Sequence, residues 1–372
     1  MTSRYPSCAA DVLASFAERD APLTEVAVLQ PADPFLDIAG EDLRRRIFLT
    51  ESETGESLCL RPEFTIPVCL DHIAARAGTP RRYAYLGEVF RQRREGEAEF
   101  FQAGIEDLGE TDIAAADARS VADAHALLSR ALPGAKLSVT LGDQRVFEAV
   151  LAALGLPLGW RKRLARAFGS ADQLNAALED LANPARASAL ADAAAGFVAE
   201  GDAKGLASHV AALMERASLS PGAGRTPEDI ARRLIEKAEL RSVRLSRQAF
   251  DALTRFLAIR APLEDAPRAL QAFSEEAGVS LGAAAGLFAA RAEAIAGHGL
   301  PRGAVEYDAG FGRPLDYYTG LVFEISAGGT RPLAGGGRYD RLLTLLGAAT
   351  PIAGVGFSVW LDRIEAARRA TA

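Results

Sequence analysis

Four segments of the chain concentrate side chains that can grip a charged, hydrogen-bonding ligand. They are Leu60-Arg61-Pro62-Glu63-Phe64-Thr65; Gly87-Glu88-Val89-Phe90-Arg91 with Phe101-Gln102-Ala103-Gly104-Ile105-Glu106; Arg313-Pro314-Leu315-Asp316-Tyr317-Tyr318-Thr319-Gly320; and Gly335-Gly336-Gly337-Arg338-Tyr339-Asp340. An arginine presents a planar fork that matches the two oxygens of a carboxylate. Glutamates accept from ammonium and ring N–H groups, and glutamine and tyrosine add hydrogen bonds. Taken singly, each segment has a plainer reading. Glu63 beside Arg61 reads equally as a surface ion pair, and Gln102 and Glu106 as strand residues facing solvent. Gly335-Gly336-Gly337 reads as a tight turn, since it lacks the Lys-Ser/Thr ending of a phosphate loop. Arg44-Arg45-Arg46 and Arg81-Arg82 read as solvated charge.

The elements that must position these segments follow from periodicity. Residues 82–90 and 99–107 are strand-like, with the charged stretch 92–97 as the loop of a long hairpin. Val121, Ala124, Leu128 and Leu132 share one face of a helix over about 118–132, which Pro133-Gly134 ends. Leu137, Val139 and Leu141 alternate as in a half-buried strand, and Asp143 is placed to cap the next helix. From about 157 the chain turns rich in Ala, Leu and Arg, with a strong helix start at Thr226-Pro227-Glu228-Asp229 after a loop at 219–225. Strands return at 305–309, 321–326 and 353–359, before a final helix. The outline is α+β: an antiparallel sheet flanked by helices, built from residues 1–156 and 300–372 and interrupted by a mainly helical insertion at 157–299.

Composition narrows the function. The chain has 372 residues, 49% of them hydrophobic, enough for a substantial core. No basic-then-apolar leader opens it, and no apolar run reaches the roughly 18 residues of a membrane span, so a cytoplasmic protein is expected. Cys8, Cys59 and Cys69 have no metal spacing, the four histidines are scattered, and no metal or cofactor is expected. A net charge of −7 argues against a broad nucleic-acid surface.

Together and in this order, the segments resemble the signatures of class II aminoacyl-tRNA synthetases, and within that class of histidyl-tRNA synthetase. Phe90-Arg91 and its hairpin resemble motif 2. Residues 354–363 resemble motif 3. Leu29-Gln30-Pro31 resembles the end of motif 1, which implies a dimer interface at Pro31. Tyr317-Tyr318 and Gly335-Gly336-Gly337-Arg338-Tyr339 resemble the two histidine-specific signatures. By this resemblance, Glu63, Thr65, Arg91, Gln102, Glu106, Arg313, Tyr317, Tyr318 and Tyr339 line a histidine-type pocket. A free histidine, with carboxylate, ammonium and imidazole, suits such a set.

The chain departs from a synthetase on the nucleotide side. Arg91, Arg313 and Arg363 match arginines that stabilise charge on the reacting phosphorus. Arg93, however, stands where motif 2 carries an acid that reads adenine, and Trp360 where motif 3 has a small residue. Pro314 replaces a glycine, a milder change. Nine residues follow Arg363, so the anticodon-binding domain of the synthetases is expected to be absent and tRNA not to be a partner. A retained amino-acid pocket with a degenerate nucleotide site resembles one branch of the family, the regulatory subunits of ATP phosphoribosyltransferase. That resemblance implies a homodimer without catalysis of its own, assembled with a short catalytic subunit into a hetero-octamer and mediating feedback inhibition by histidine. Two alternatives remain at this point: a histidine-activating enzyme or truncated synthetase, and a histidine sensor unconnected to phosphoribosyl transfer.

Overall fold

The computed structural model describes residues 5–38, 40–94, 96–182, 192–217, 226–242, 245–329 and 331–371. The loop expected at 219–225 lies outside the described residues, except for the helix start that follows it. Three short strands come first: β1 (Leu29–Pro31), β2 (Leu49–Glu51) and β3 (Ser57–Leu60). They form a small antiparallel sheet in the order β1-β3-β2. The main sheet holds β4 (Arg81–Phe90), β5 (Glu99–Leu108), β6 (Ser138–Asp143), β7 (Arg260–Pro262), β8 (Val305–Asp308), β9 (Leu321–Ser326), β10 (Ala334–Arg338) and β11 (Gly354–Trp360). Its order is β4-β5-β11-β10-β9-β6-β8-β7, and every pairing is antiparallel except β6 with β8.

Register decides what each face of this sheet carries, because side chains alternate across a strand. Ala103 and Ile105 of β5, Phe357 and Val359 of β11 and Ala334 of β10 face the main core, where the helix Ile113–Ala131 lies across them. Gln102 and Glu106, one residue out of step, face the other way. That helix begins earlier than the periodicity of 118–132 implies, because Asp112 accepts a hydrogen bond from the Ala115 amide and caps it there. Asp143 caps the helix Gln144–Ala153 as expected, accepting from the amides of Arg145 and Val146.

The helical stretch is not uniform in its packing. Trp160, Leu164, Phe168, Phe256, Phe273 and Phe288 from its helices join the core of the main sheet. The helices Asp192–Glu200, Ala203–Arg216 and Pro227–Ser242 share a separate small cluster around Leu206, Val210 and Ala231. One strand, β7, lies inside this stretch and pairs with β8 at the sheet edge, which the helix-rich composition concealed.

The largest difference from the sequence reading is β10. Gly335-Gly336-Gly337 is no turn but the buried middle of the sheet, flanked by β9 and β11. Glycine is poor in strands as a rule, yet here tertiary contact requires it. A Cβ on Gly336 would overlap the Gly356 carbonyl, and one on Gly337 the Leu321 carbonyl. Arg81-Arg82 also departs from simple solvated charge: Arg82 pairs with Asp123 and lies 3.5 Å from Asp107.

Candidate functional site

A cleft lies on the face of the main sheet opposite the helix Ile113–Ala131. Its floor follows from three cross-strand rows. One runs Tyr83, Glu106, Gly356, Gly337; the next Tyr85, Gly104, Ser358, Gly335, Glu324; the third Gly87, Gln102, Trp360. Cross-strand neighbours share a face, so each row sets large polar side chains beside bare glycine backbone. The glycines are where the functional groups sit. A Cβ on Gly356 would overlap the Glu106 carboxyl, and one on Gly335 the Arg313 guanidinium.

All nine residues named from the sequence line this one cleft, of about 700 Å³ including its open mouth. Glu63 and Arg61 do not lie on the surface; they are 5% and 6% exposed. Glu63 instead caps the helix Thr65–Ala74, accepting from the Thr65 amide at 2.7 Å and the Ile66 amide at 2.9 Å. Its carboxyl is pushed up by burial, opposed by those amides and by Arg91. Arg61 donates from Nε to the Glu88 carbonyl at 2.7 Å and stacks on Phe64, which braces β4 against the segment before the helix.

Glu106 is the centre of the cleft's hydrogen bonding, at 1% exposure rather than facing solvent. It accepts from Thr65 Oγ1 at 2.7 Å, from Tyr85 at 3.2 Å and from the Tyr339 hydroxyl. Burial pushes its carboxyl up to about 8, against the hydrogen bonds from Tyr339 and Thr65, with Glu63 adding to the rise. Tyr85 and Ser358 were not singled out from the sequence. Their hydroxyls lie 2.8 Å apart. The only available signal was alternation along 82–90, which puts Tyr85 on the same face as Tyr83 without naming that face.

Cations ring the other side. Arg91 donates to the Pro62 carbonyl at 2.7 Å; burial pulls its guanidinium down to about 10, opposed by Glu63 and Tyr317. Arg313 donates to the Phe323 carbonyl at 3.2 Å and lies 3.6 Å from Glu324. Trp360 lines the cleft, 6% exposed, with its indole packed among Phe64, Tyr85 and Phe100. The Arg363 guanidinium lies 4.1 Å from the indole ring centre and that of Arg313 5.9 Å, within cation–π range. Arg93 lies 3.6 Å over Phe100, outside the residues lining the cleft. Arg363 donates to the Pro332 carbonyl at 2.5 Å and is likewise off the cleft wall. The indole and the aromatic rings thus hold the cations on this side.

Among the described residues, four buried polar atoms here have no hydrogen-bond partner: Gln102 Oε1, Arg313 Nε, Trp360 Nε1 and Arg363 Nε. Buried polar groups are ordinarily paired. Gln102, Arg313 and Trp360 line the cleft, so two unused donors and an acceptor belong to residues of its wall. A wider groove adjoins it, sharing Arg313, Leu315, Tyr317 and Tyr318 as a common wall.

Pro31 is not among the residues lining the cleft; it lies on β1. The pairings Leu29 with Leu60 and Pro31 with Leu58 put four apolar side chains on one face of the small sheet. Leu29 is 52% exposed there.

Comparison with known proteins gives a consistent result. The sequence model of the histidyl-tRNA synthetase family matches residues 22–225 and 205–364. A protein of Mesorhizobium japonicum named ATP phosphoribosyltransferase regulatory subunit is 72% identical over 100% of both chains. One of the same name from Chelativorans sp. is 66% identical over 99% of both. Among solved structures, an ATP phosphoribosyltransferase regulatory subunit/histidyl-tRNA synthetase from Bacillus halodurans superposes with a TM-score of 0.65 at 21% identity, over 99% of this chain and 81% of that one. Histidyl-tRNA synthetase from Nostoc sp. PCC 7120 gives 0.64 at 15% identity, over 96% of this chain and 70% of its own. The two structural likenesses establish the fold.

Proposed function

The chain belongs to the histidyl-tRNA synthetase-like family of ATP phosphoribosyltransferase regulatory subunits, and on that footing we propose that it is the regulatory subunit of an ATP phosphoribosyltransferase in histidine biosynthesis. It acts in the cytoplasm, has no catalysis of its own, and activates a short catalytic subunit, a glycosyl-transfer enzyme, within a hetero-octamer. Histidine held in the cleft carries feedback inhibition. Such coupling is reciprocal: if histidine weakens substrate binding to the complex, substrate weakens histidine binding by the same factor.

The observation that carries this reading is the contrast within one cleft. Glu106, Glu63 and the tyrosines supply acceptors for an ammonium and an imidazole, and Arg313 has a donor to spare for a carboxylate. Trp360 meanwhile takes the place of the small residue against which a nucleotide would lie. An amino acid is therefore accommodated and ATP is not. In calorimetry on the isolated protein, L-histidine binds and ATP does not; Glu106→Ala and Arg313→Ala each weaken histidine at least tenfold. Micromolar ATP affinity would overturn the reading of Trp360. Unchanged histidine affinity in both variants would place the effector elsewhere.

The homodimer is supported by the apolar face of Leu29, Pro31, Leu58 and Leu60, which a second copy would cover. A second reading, a histidine-activating enzyme, is favoured by the presence of Arg91 and Arg313 at the cleft. Histidine-dependent ATP–pyrophosphate exchange would establish it, and Trp360 speaks against it.

A further inference from the structure

Arg338 and Tyr339 are consecutive, and they point to opposite faces of the sheet. Tyr339 reaches into the cleft and donates to Glu106. Arg338 reaches the other way, 1% exposed, into a buried set of charges. Its Nε donates to Asp117 Oδ1 at 2.7 Å, its Nη1 to Asp340 Oδ1 at 2.7 Å, and its Nη2 to the Ile113 carbonyl at 3.3 Å. Asp117 is 0% exposed, and its second oxygen takes Arg291 Nε at 2.6 Å. Arg291, from the helix Gly282–Gly297, also pairs with Asp143, the cap of Gln144–Ala153. One carboxylate thus ties a helix of the helical stretch to the strand that ends at the cleft.

The backbone on either side of Tyr339 holds the loop that carries the paired tyrosines. The Thr319 amide donates to the Arg338 carbonyl at 2.8 Å, and the Asp340 amide donates to Thr319 Oγ1 at 3.0 Å. Asp340 Oδ1, held by Arg338, also accepts from the Gly354 amide at 3.3 Å. Tyr339 therefore lies between Arg338 itself and Asp340, whose carboxylate the Arg338 guanidinium holds.

We propose that Arg338 is a positioning residue for the Tyr339–Glu106 contact in the cleft, with Asp117 as the fixed point that sets it and Arg291 as its link to the helix Gly282–Gly297. The charges do not touch a ligand. They act by holding one phenol against one carboxyl, and a buried guanidinium fork does this where a lysine cannot, because two oxygens on different elements need two fixed donors. The histidine readout below rests on the proposed function; the spectroscopic one does not.

Glu106 reports the position of Tyr339 directly. The groups around it are Thr65, Glu63 and Cys69 from the helix Thr65–Ala74 and the turn before it, Tyr85 from β4, Tyr317, Tyr318 and Arg313 from the loop, Arg91 beyond β4, and Tyr339. Tyr339 gives the largest downward pull on the Glu106 carboxyl. The experiment is pH-difference infrared spectroscopy of the full chain, with the Glu106 band identified by its loss in Glu106→Gln. In the wild type the carboxyl titrates near about 8. In Arg338→Lys and in Asp117→Asn the midpoint rises by one unit or more. If these do not fold, Asp340→Asn releases the same guanidinium from its less buried end and gives the same upward shift. An unchanged midpoint in the folded variants overturns the proposal, whatever the loss of melting temperature.

A histidine titration separates positioning from general loosening. Arg338→Lys lowers affinity about tenfold in the wild type but less than twofold in a Tyr339→Phe background, where there is no phenol left to place. Equal losses in both backgrounds would contradict a route through Tyr339. Should the wild type bind no histidine, the ligand reading falls, while the infrared midpoint still decides the role of Arg338.

Discussion

Glu106 receives three hydroxyl donors in a place where it has lost its water, and the balance raises its carboxyl to about 8, so that it is mostly protonated at neutral pH. This has a consequence for stability. The folded-state carboxyl titrates at about 8 against an ordinary value of 4.5. Between those limits the folded state binds the proton more readily than the unfolded chain, so stability is full below about pH 4.5 and is lost as pH rises toward 8. Glu63, also raised by burial, adds a slope of the same sign. Glu106→Gln should therefore flatten the fall in unfolding free energy between pH 5 and 8, by a difference on the order of a few kcal/mol across that range. Scanning calorimetry at several pH values checks it; an identical slope in the variant would mean that Glu106 is ionised throughout. At this scale much of the cleft was legible, because Glu63, Glu106, Arg313 and the tyrosines sit in segments that together resemble the histidyl-tRNA synthetase signatures. Tyr85, Ser358, Asp117 and Arg338 were not, because their roles come from strand register and from partners such as Arg291, 174 positions from Asp117 in the chain. No local pattern announces such a partner.

At the scale of elements, β10 is the instructive case. Its glycines look like a turn on propensity and form a central strand in fact. Propensity fails there because the cleft is made by removing side chains from the sheet: Arg313 lies on Gly335, and Glu106 lies against Gly356. The strand 82–90 was readable from its aromatic and β-branched residues, and 99–107 and 321–326 were read as strands with it. The edge strand β7 was not, being three residues between helices. The account predicts that Gly336→Ala, whose Cβ meets backbone on β11, costs about 3 kcal/mol or more by overpacking. Urea unfolding measures it. A cost below about 1 kcal/mol would show that β10 and β11 can part without penalty, and that the glycines are a matter of sequence history rather than of space.

For the whole molecule, the fold class was legible because the helix-rich stretch and the returning strands are far apart in composition. How that stretch packs was not: most of its helices share the core of the sheet, and three keep a cluster of their own. The assembly state belongs to this scale. Leu29→Asp, on the apolar face of the small sheet, should convert a dimer into monomers at tens of micromolar in sedimentation while leaving the fold intact by circular dichroism. A wild type that is monomeric, or a variant that stays dimeric, would move the interface away from Pro31.

Regulation of an enzyme by this chain is tested most directly by phosphoribosyl-ATP formation by the short catalytic subunit from the same genome, measured with and without this protein and then with histidine added. The expected result is stimulation of at least tenfold on adding the chain, and inhibition by histidine that Glu106→Ala blunts. No stimulation, together with histidine-dependent pyrophosphate exchange by the chain alone, would contradict it.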